Sequence, residues 1–209
     1  MKEMPILSST PMVLAILEER KTQTRRIVKP QPHFPTVAAD GQAGIYGIKL
    51  KPDGTCFYRT NGDGDSIKLK SPYGYKGDRL WVRETWRPAL SDTHECFAYK
   101  ADNMYQCGKQ VPEGCNMAWK PSIHMPKKAC RLWLEVANVR VERLQDISEE
   151  DAIAEGVLFE DGLYWDYLNN EYQYKSAIAS YESLWMSIHG AESFLKNVWV
   201  WVVEFRRVG

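Results

Sequence analysis

The chain has 209 residues, of which 44% are hydrophobic, with 8 Trp and 11 Tyr, enough apolar surface for a folded core. Its 27 Lys and Arg balance 27 Asp and Glu, which excludes a protein that coats nucleic acid nonspecifically, because such binding needs an excess of positive charge to release counterions. No shift of composition separates two halves, so one domain over residues 1–209 is expected, without a membrane-length apolar run.

The opening "MKEMPILSSTPMVLAIL" is broken by Glu3 and Pro5 and lacks a small-residue cleavage site, so it reads as folded chain and not as a secretory leader. Ser9 or Thr10 caps a helix with Pro11 at its first position, expected to run to about Arg20 or beyond. Residues 30–44 read as loop, "IYGIKLKPDGTCFYRT" as a hairpin turning at Pro52, Asp53 and Gly54, and "TNGDGDS" as a second turn. "RLWVRETW" alternates as a strand, with Leu80, Val82, Glu84 and Trp86 on one face. "CFAYKA" is a short strand, residues 102–126 read as mostly irregular, and "RLWLEVANVRVERL" is a long alternating strand. "ISEEDAIAEG" is a short helix capped by Ser148 and stopped by Gly156, and a further helix covers about residues 176–188. "NVWVWVVEF" is apolar on both faces and reads as a strand covered on both sides. The pattern predicts an α+β fold built round a curled sheet or small β-barrel.

The five cysteines form an odd set with no CxxC pair, which predicts reduced thiols and a cytoplasmic protein. His94, Cys96, Cys107 and Cys115 could supply four metal ligands, but their spacings are not those of a zinc module, and no metal or cofactor is expected.

The segment "LEERKTQTRRIVKP" concentrates Arg20, Lys21, Arg25, Arg26 and Lys29. On a continued helix Val13, Leu17, Lys21 and Thr24 form one stripe, placing Lys21 and Thr24 at the rim of the buried face with Arg20 and Gln23 turned away. Crowding by cations and partial desolvation favour a neutral lysine, which can serve as base toward a threonine hydroxyl. Arg25 and Arg26 suit bidentate contacts to RNA phosphates; the bland reading of the cluster is a solvated basic helix end. Glu84 stands out on an apolar strand face, either as a site residue or as a buried partner of an arginine. Trp86 could stack on a base and His124 could contact a ligand, each against the default of packing or a loop histidine.

Four segments, "RKTQTRR", "GDRLWVRETW", "LQDISEEDAIAEG" and "WVWVVEF", together resemble the ASCH domain family of the PUA-like superfamily. With "WKPSIHMPKKACRLWLEV" the chain is similar to a longer subgroup found in phages and prophages, in which residues 30–76, 87–125 and 158–175 are insertions relative to compact members. The resemblance implies a small PUA-like β-barrel with flanking helices and long loop insertions. It also implies an RNA- or nucleoside-directed protein, with N4-acetylcytidine amidohydrolase activity as one family function. Lys21, Thr24 and Glu155 match that family's catalytic Lys, Thr and Glu. Glu155 falls in the last turn of its helix, where the dipole works against an anion and suits a carboxyl that must deliver a proton. The alternatives are a non-catalytic RNA-binding module or a ribonuclease of the same family. Under any of these the expected partner is a nucleoside or RNA, with Arg20, Arg25, Arg26, Glu84, Trp86 and His124 as the binding set.

Overall fold

The computed structural model describes residues 1–32, 49–50, 55–59, 66–89, 96–112 and 118–208. In chain order the strands are β1 (Glu3–Leu7), β2 (Gln23–Ile27), β3 (Lys49–Leu50), β4 (Thr55–Arg59), β5 (Ser66–Lys70), β6 (Arg79–Arg83) and β7 (Trp86–Ala89). They continue as β8 (Cys96–Tyr99), β9 (Met104–Tyr105), β10 (Trp133–Arg143), β11 (Phe159–Glu160), β12 (Leu163–Asp166), β13 (Glu171–Tyr174) and β14 (Trp199–Arg207). The α-helices are α1 (Thr10–Leu17), α2 (Glu149–Ala154) and α3 (Ala177–His189). The α+β class is as expected.

The main sheet has five strands in the order β1-β6-β10-β14-β2, with β1 parallel to β6 and the other pairs antiparallel. β14 is its spine, and the alternation of its side chains explains its doubly apolar sequence. Trp201, Val203 and Phe205 join Val13 and Ile16 of α1 in one core cluster. Val200 and Val202 join Ala152 of α2 and Tyr181 and Trp185 of α3 in a second cluster on the other face. Each fully buried valine or leucine of this kind contributes about 1.5–3 kcal/mol relative to exposure. Three smaller sheets, β3-β4-β5, β7-β8-β9 and β11-β12-β13, flank the main one in sequence.

The sheet curls without closing. β1 and β2 stand at opposite ends of the strand order, and among the described residues no ladder joins them. They nevertheless approach, for Arg26 Nη2 on β2 donates to the Leu7 carbonyl at the end of β1 at 2.6 Å. The expected closed barrel is therefore an open, strongly curled sheet bridged at one corner by a side chain.

Helix α1 is shorter than expected. Glu18 caps its C-terminus and Glu19 takes φ 59°, the left-handed conformation that ends a helix, after which the Lys21 N–H returns to the Ala15 carbonyl at 3.0 Å. Gln23–Ile27 is strand instead, paired to β14 with Thr24 opposite Val203, so long-range pairing overrides local helix periodicity. The expected stripe of Val13, Leu17, Lys21 and Thr24 does not form. "RLWVRETW" also divides, into β6 and β7, although Leu80, Val82, Glu84 and Trp86 are all buried as the alternation predicts. β3 pairs antiparallel with β4, as a hairpin requires, while the turn at Pro52, Asp53 and Gly54, the "TNGDGDS" turn and the loop reading of residues 33–44 lie outside the described residues. No described helix is long and apolar enough to cross a membrane.

Ser148 caps α2 as expected, its hydroxyl accepting from Asp151 N at 3.1 Å, and Gly156 ends it with φ 84°. A Cβ on Gly156 would lie 2.8 Å from Lys21 Cβ and 3.0 Å from Ala15 Cβ, whereas one on Gly162, also at φ 84°, would meet nothing within 4 Å. Gly162→Ala is thus expected to cost only the left-handed penalty of about 1 kcal/mol, and Gly156→Ala roughly 3 kcal/mol, because overpacking adds to it. Denaturant melts of the two variants check this; equal losses would mean that the close approach of residue 156 to Lys21 is not made.

Candidate active site

The segment after α1 and the end of α2 are stitched together by backbone groups. Thr22 N–H donates to the Ala154 carbonyl at 2.9 Å, and Arg20 Nη1 donates to the Gly156 carbonyl at 2.9 Å. This brings Lys21 onto Glu155: Lys21 Nζ donates to Glu155 Oε2 and to the Glu155 carbonyl, both at 2.8 Å. The other carboxylate oxygen, Oε1, accepts from Arg25 Nη1 at 3.3 Å. Lys21, Thr24 and Glu155 retain only 4%, 3% and 4% of their exposure, which corrects the expected position of Lys21 and Thr24 at the rim of the buried face. Burial pushes the Lys21 ammonium below the ordinary lysine value, against the pull of Glu155, and nearby Arg26 and Arg25 act in the same direction as burial.

Thr24 lies on β2, one strand position before Arg25. Thr24, Arg25 and Glu155 line a cleft of about 660 Å³, within the usual size of small-ligand sites. Among the described residues none exchanges a hydrogen bond with the Thr24 hydroxyl, while Lys21 and Glu155 are committed to each other. Tyr73, Tyr181, Trp185 and Trp201 add aromatic wall, and Arg26, Lys29, Lys70 and His189 add basic groups. Burial holds the Tyr181 hydroxyl well above its ordinary value, aided by Glu155, so it stays a neutral phenol at neutral pH.

Arg25 does not have the free fork expected of a phosphate clamp. Its buried Nη2 donates to Glu142 Oε1 at 2.5 Å and to Asp151 Oδ2 at 2.7 Å. Arg140 reaches the same two carboxylates, Asp151 at 2.5 Å and Glu142 at 2.9 Å. Gln23, expected to turn outward, is buried beside Asp151; with its amide oriented to satisfy both ends it donates to Asp151 Oδ1 at 3.1 Å and accepts from Arg25 Nη1 at 2.5 Å. Arg20 is turned toward the surface and pairs with Glu18.

The remaining expected residues stand elsewhere. Glu84 is fully buried and doubly bonded by Arg131, Nε to Oε1 and Nη2 to Oε2, each at 2.9 Å; Arg131 also holds Asp102 at 2.6 Å. It is the arginine-paired alternative. Trp86 packs edge-on to Phe97 in a separate small core and is no open stacking platform. His124 is exposed in a 3-10 turn and does not line the cleft, although Ser122 of the same turn does. Of the tentative metal set, Cys96 is buried and Cys107 exposed, while His94 and Cys115 lie outside the described residues. Among the described residues no group of three His, Cys, Asp or Glu is placed to hold a metal.

Sequence reasoning missed Asp151, Glu142, Arg140, Tyr181 and His189, and named Lys29 only as part of the basic segment. Arg140 and Glu142 had a signal, two charges at strand spacing in "VRVER", which puts both on one face of the strand. Tyr181 and His189 had none, since their helix only becomes a cleft wall by packing against β14.

Hydrogen bonds from Arg140 and Arg25 overcome burial to hold the Asp151 carboxyl below its ordinary value. A carboxyl depressed on folding contributes stability that is present above its unfolded value, about 4, and is lost as pH falls through the folded value. Arg25→Met is expected to lose about 3 kcal/mol at neutral pH by stranding the carboxylates. Its stability should also fall less steeply on acidification than the parent's. Parallel pH dependence of the two proteins in urea melts would mean that Arg25 does not hold these acids.

No family model, no curated protein and no solved structure matches the chain, so the reading of this site rests on its own residues and geometry.

Proposed function

We propose that this protein is an amidohydrolase that removes the acyl group from N4-acetylcytidine or a similar acylated nucleoside, on an ASCH-type, PUA-like scaffold. The observation that carries the reading is the buried 2.8 Å contact between Lys21 and Glu155 beside a cleft that Thr24 lines. The curled sheet, with β1 and β2 meeting at Arg26 and Leu7, supports the PUA-like scaffold.

A buried lysine and glutamate in contact exchange one proton between a charged pair and a neutral amine–acid pair. Burial lowers the basicity of Lys21 and so favours its amine, the form that can act as a base. Lys21 takes the Thr24 proton as Oγ1 attacks the acyl carbon. Collapse of the tetrahedral intermediate breaks the C–N bond, and the Glu155 proton goes to the departing nitrogen. The products of this half are cytidine, acyl-Thr24, a lysine ammonium and a glutamate anion. Water then attacks the ester and gives its proton to Glu155, Lys21 returns its proton to Thr24, and the carboxylic acid leaves. All three groups end as they began.

Thr24→Val keeps the side chain's shape and is expected to fold like the parent while losing at least about 100-fold in kcat, the lower end for loss of such a group. Lys21→Met is expected to lose as much, and the double variant no more than either single change, because both disable one unit. Acetate release from N4-acetylcytidine, measured alongside mass analysis of a mixed RNA pool, checks this. Additive losses would make the pair structural; shortened RNA would mark a ribonuclease, and RNA retained without any product a binding module.

A further inference from the structure

The cleft carries basic groups that the amide chemistry leaves unused. Its lining includes Arg26 and Lys29 from the β2 segment, Lys70 from β5 and His189 from the end of α3. The one carboxylate among the described lining residues is Glu155, and it is taken up by Lys21 and Arg25. Arg26 spends Nη2 on the Leu7 carbonyl, and its Nε, shielded from solvent, has no partner among the described residues. Lys29 is exposed and pairs with no described carboxylate. His189 stacks on Trp185 with ring centroids 4.2 Å apart, and burial, then Arg26 and Lys29, lower its basicity, which puts both cations within its electrostatic reach. Ser8 and Ser9 line the same cleft at the positive N-terminal end of α1, where the Ser9 hydroxyl caps no backbone N–H. In a chain of zero net charge this is a local concentration of positive potential, and it adjoins the aromatic walls that suit a base.

We infer that the cleft takes its acylated nucleoside as a phosphate ester, with Arg26, Lys29 and His189 holding the phosphate while the acyl group reaches Thr24 and Glu155. The inference rests on the amidohydrolase reading for its acyl end and on the unpaired cations for its phosphate end. Of the two arginines expected to contact phosphate it keeps Arg26 and drops Arg25, whose fork is filled. The phosphate could be a terminal monoester or a diester within a strand, and the two differ in what can follow it out of the cleft.

The test compares N4-acetylcytidine, its 5′-monophosphate and a short RNA oligonucleotide bearing one acetylcytidine, at low and high salt. The phosphorylated forms are expected to exceed the free nucleoside in kcat/KM by about tenfold or more, as one charge-assisted hydrogen bond provides. The advantage should shrink with added salt. In Arg26→Gln/Lys29→Gln the ratio of nucleotide to nucleoside should fall toward one. A mononucleotide preference assigns a terminal phosphate, and an oligonucleotide preference a strand. Equal kcat/KM for all three substrates would overturn the inference while leaving the amidohydrolase reading standing. If none is hydrolysed, calorimetric binding of cytidine 5′-monophosphate decides: binding weakened about tenfold in the double variant upholds the phosphate subsite, and undiminished binding overturns it.

Discussion

The carboxylate of Glu155, out of water and held between Lys21 and Arg25, is the constraint from which the rest of the site follows. A buried charge must be paired and hydrogen-bonded or it neutralises. Lys21 meets that demand only because the chain turns sharply at Glu19 and because residue 156 has no side chain to keep the two segments apart. Arg25, buried in turn, needs anions of its own and finds Glu142 and Asp151, which Arg140 then neutralises. The result is a chain of compensations running from α2 through β2 to β10. Apolar groups of the same volume could hold these elements together as well or better, so such a network is weak evidence of stability.

The framework around it supplies rigidity. β14 is buried on both faces and pairs with both β10 and β2, the strands that carry Arg140, Glu142, Thr24 and Arg25. α3 packs on one of those faces, so that Tyr181, Trp185 and His189 become cleft wall without any local sequence feature to announce it. Chemistry placed on paired strands and a helix end is held more accurately than chemistry on loops.

Most elements were legible in the sequence because their signals are local. Ser148 and Gly156 bound α2 where capping rules place them, and the alternation of "RLWLEV" and the double apolarity of "WVWVVEF" correspond to β10 and β14. The end of α1 was not legible, since a left-handed glutamate leaves no mark in composition and the helix period runs on through Lys21 and Thr24. The resemblance to the ASCH family named Lys21, Thr24 and Glu155 together, and in the structure the first and third touch while the second lines the adjoining cleft. The fate of each arginine was the least legible feature, because whether a guanidinium meets a carboxylate or a ligand depends on tertiary contacts. Arg25 and Arg26 are neighbours in sequence, yet one is enclosed by acids and the other faces an acid-poor wall.

The central claim is that the Lys21–Glu155 pair activates Thr24 for attack on an amide. Intact-mass and peptide-map analysis of the protein, acid-quenched at successive times after mixing with N4-acetylcytidine, tests it most directly. The account predicts a transient gain of one acetyl group, mapped to Thr24, that precedes the release of free acetate. Acetate accumulating while the protein stays unmodified at every time would contradict it, as would an acetyl group carried on any other residue.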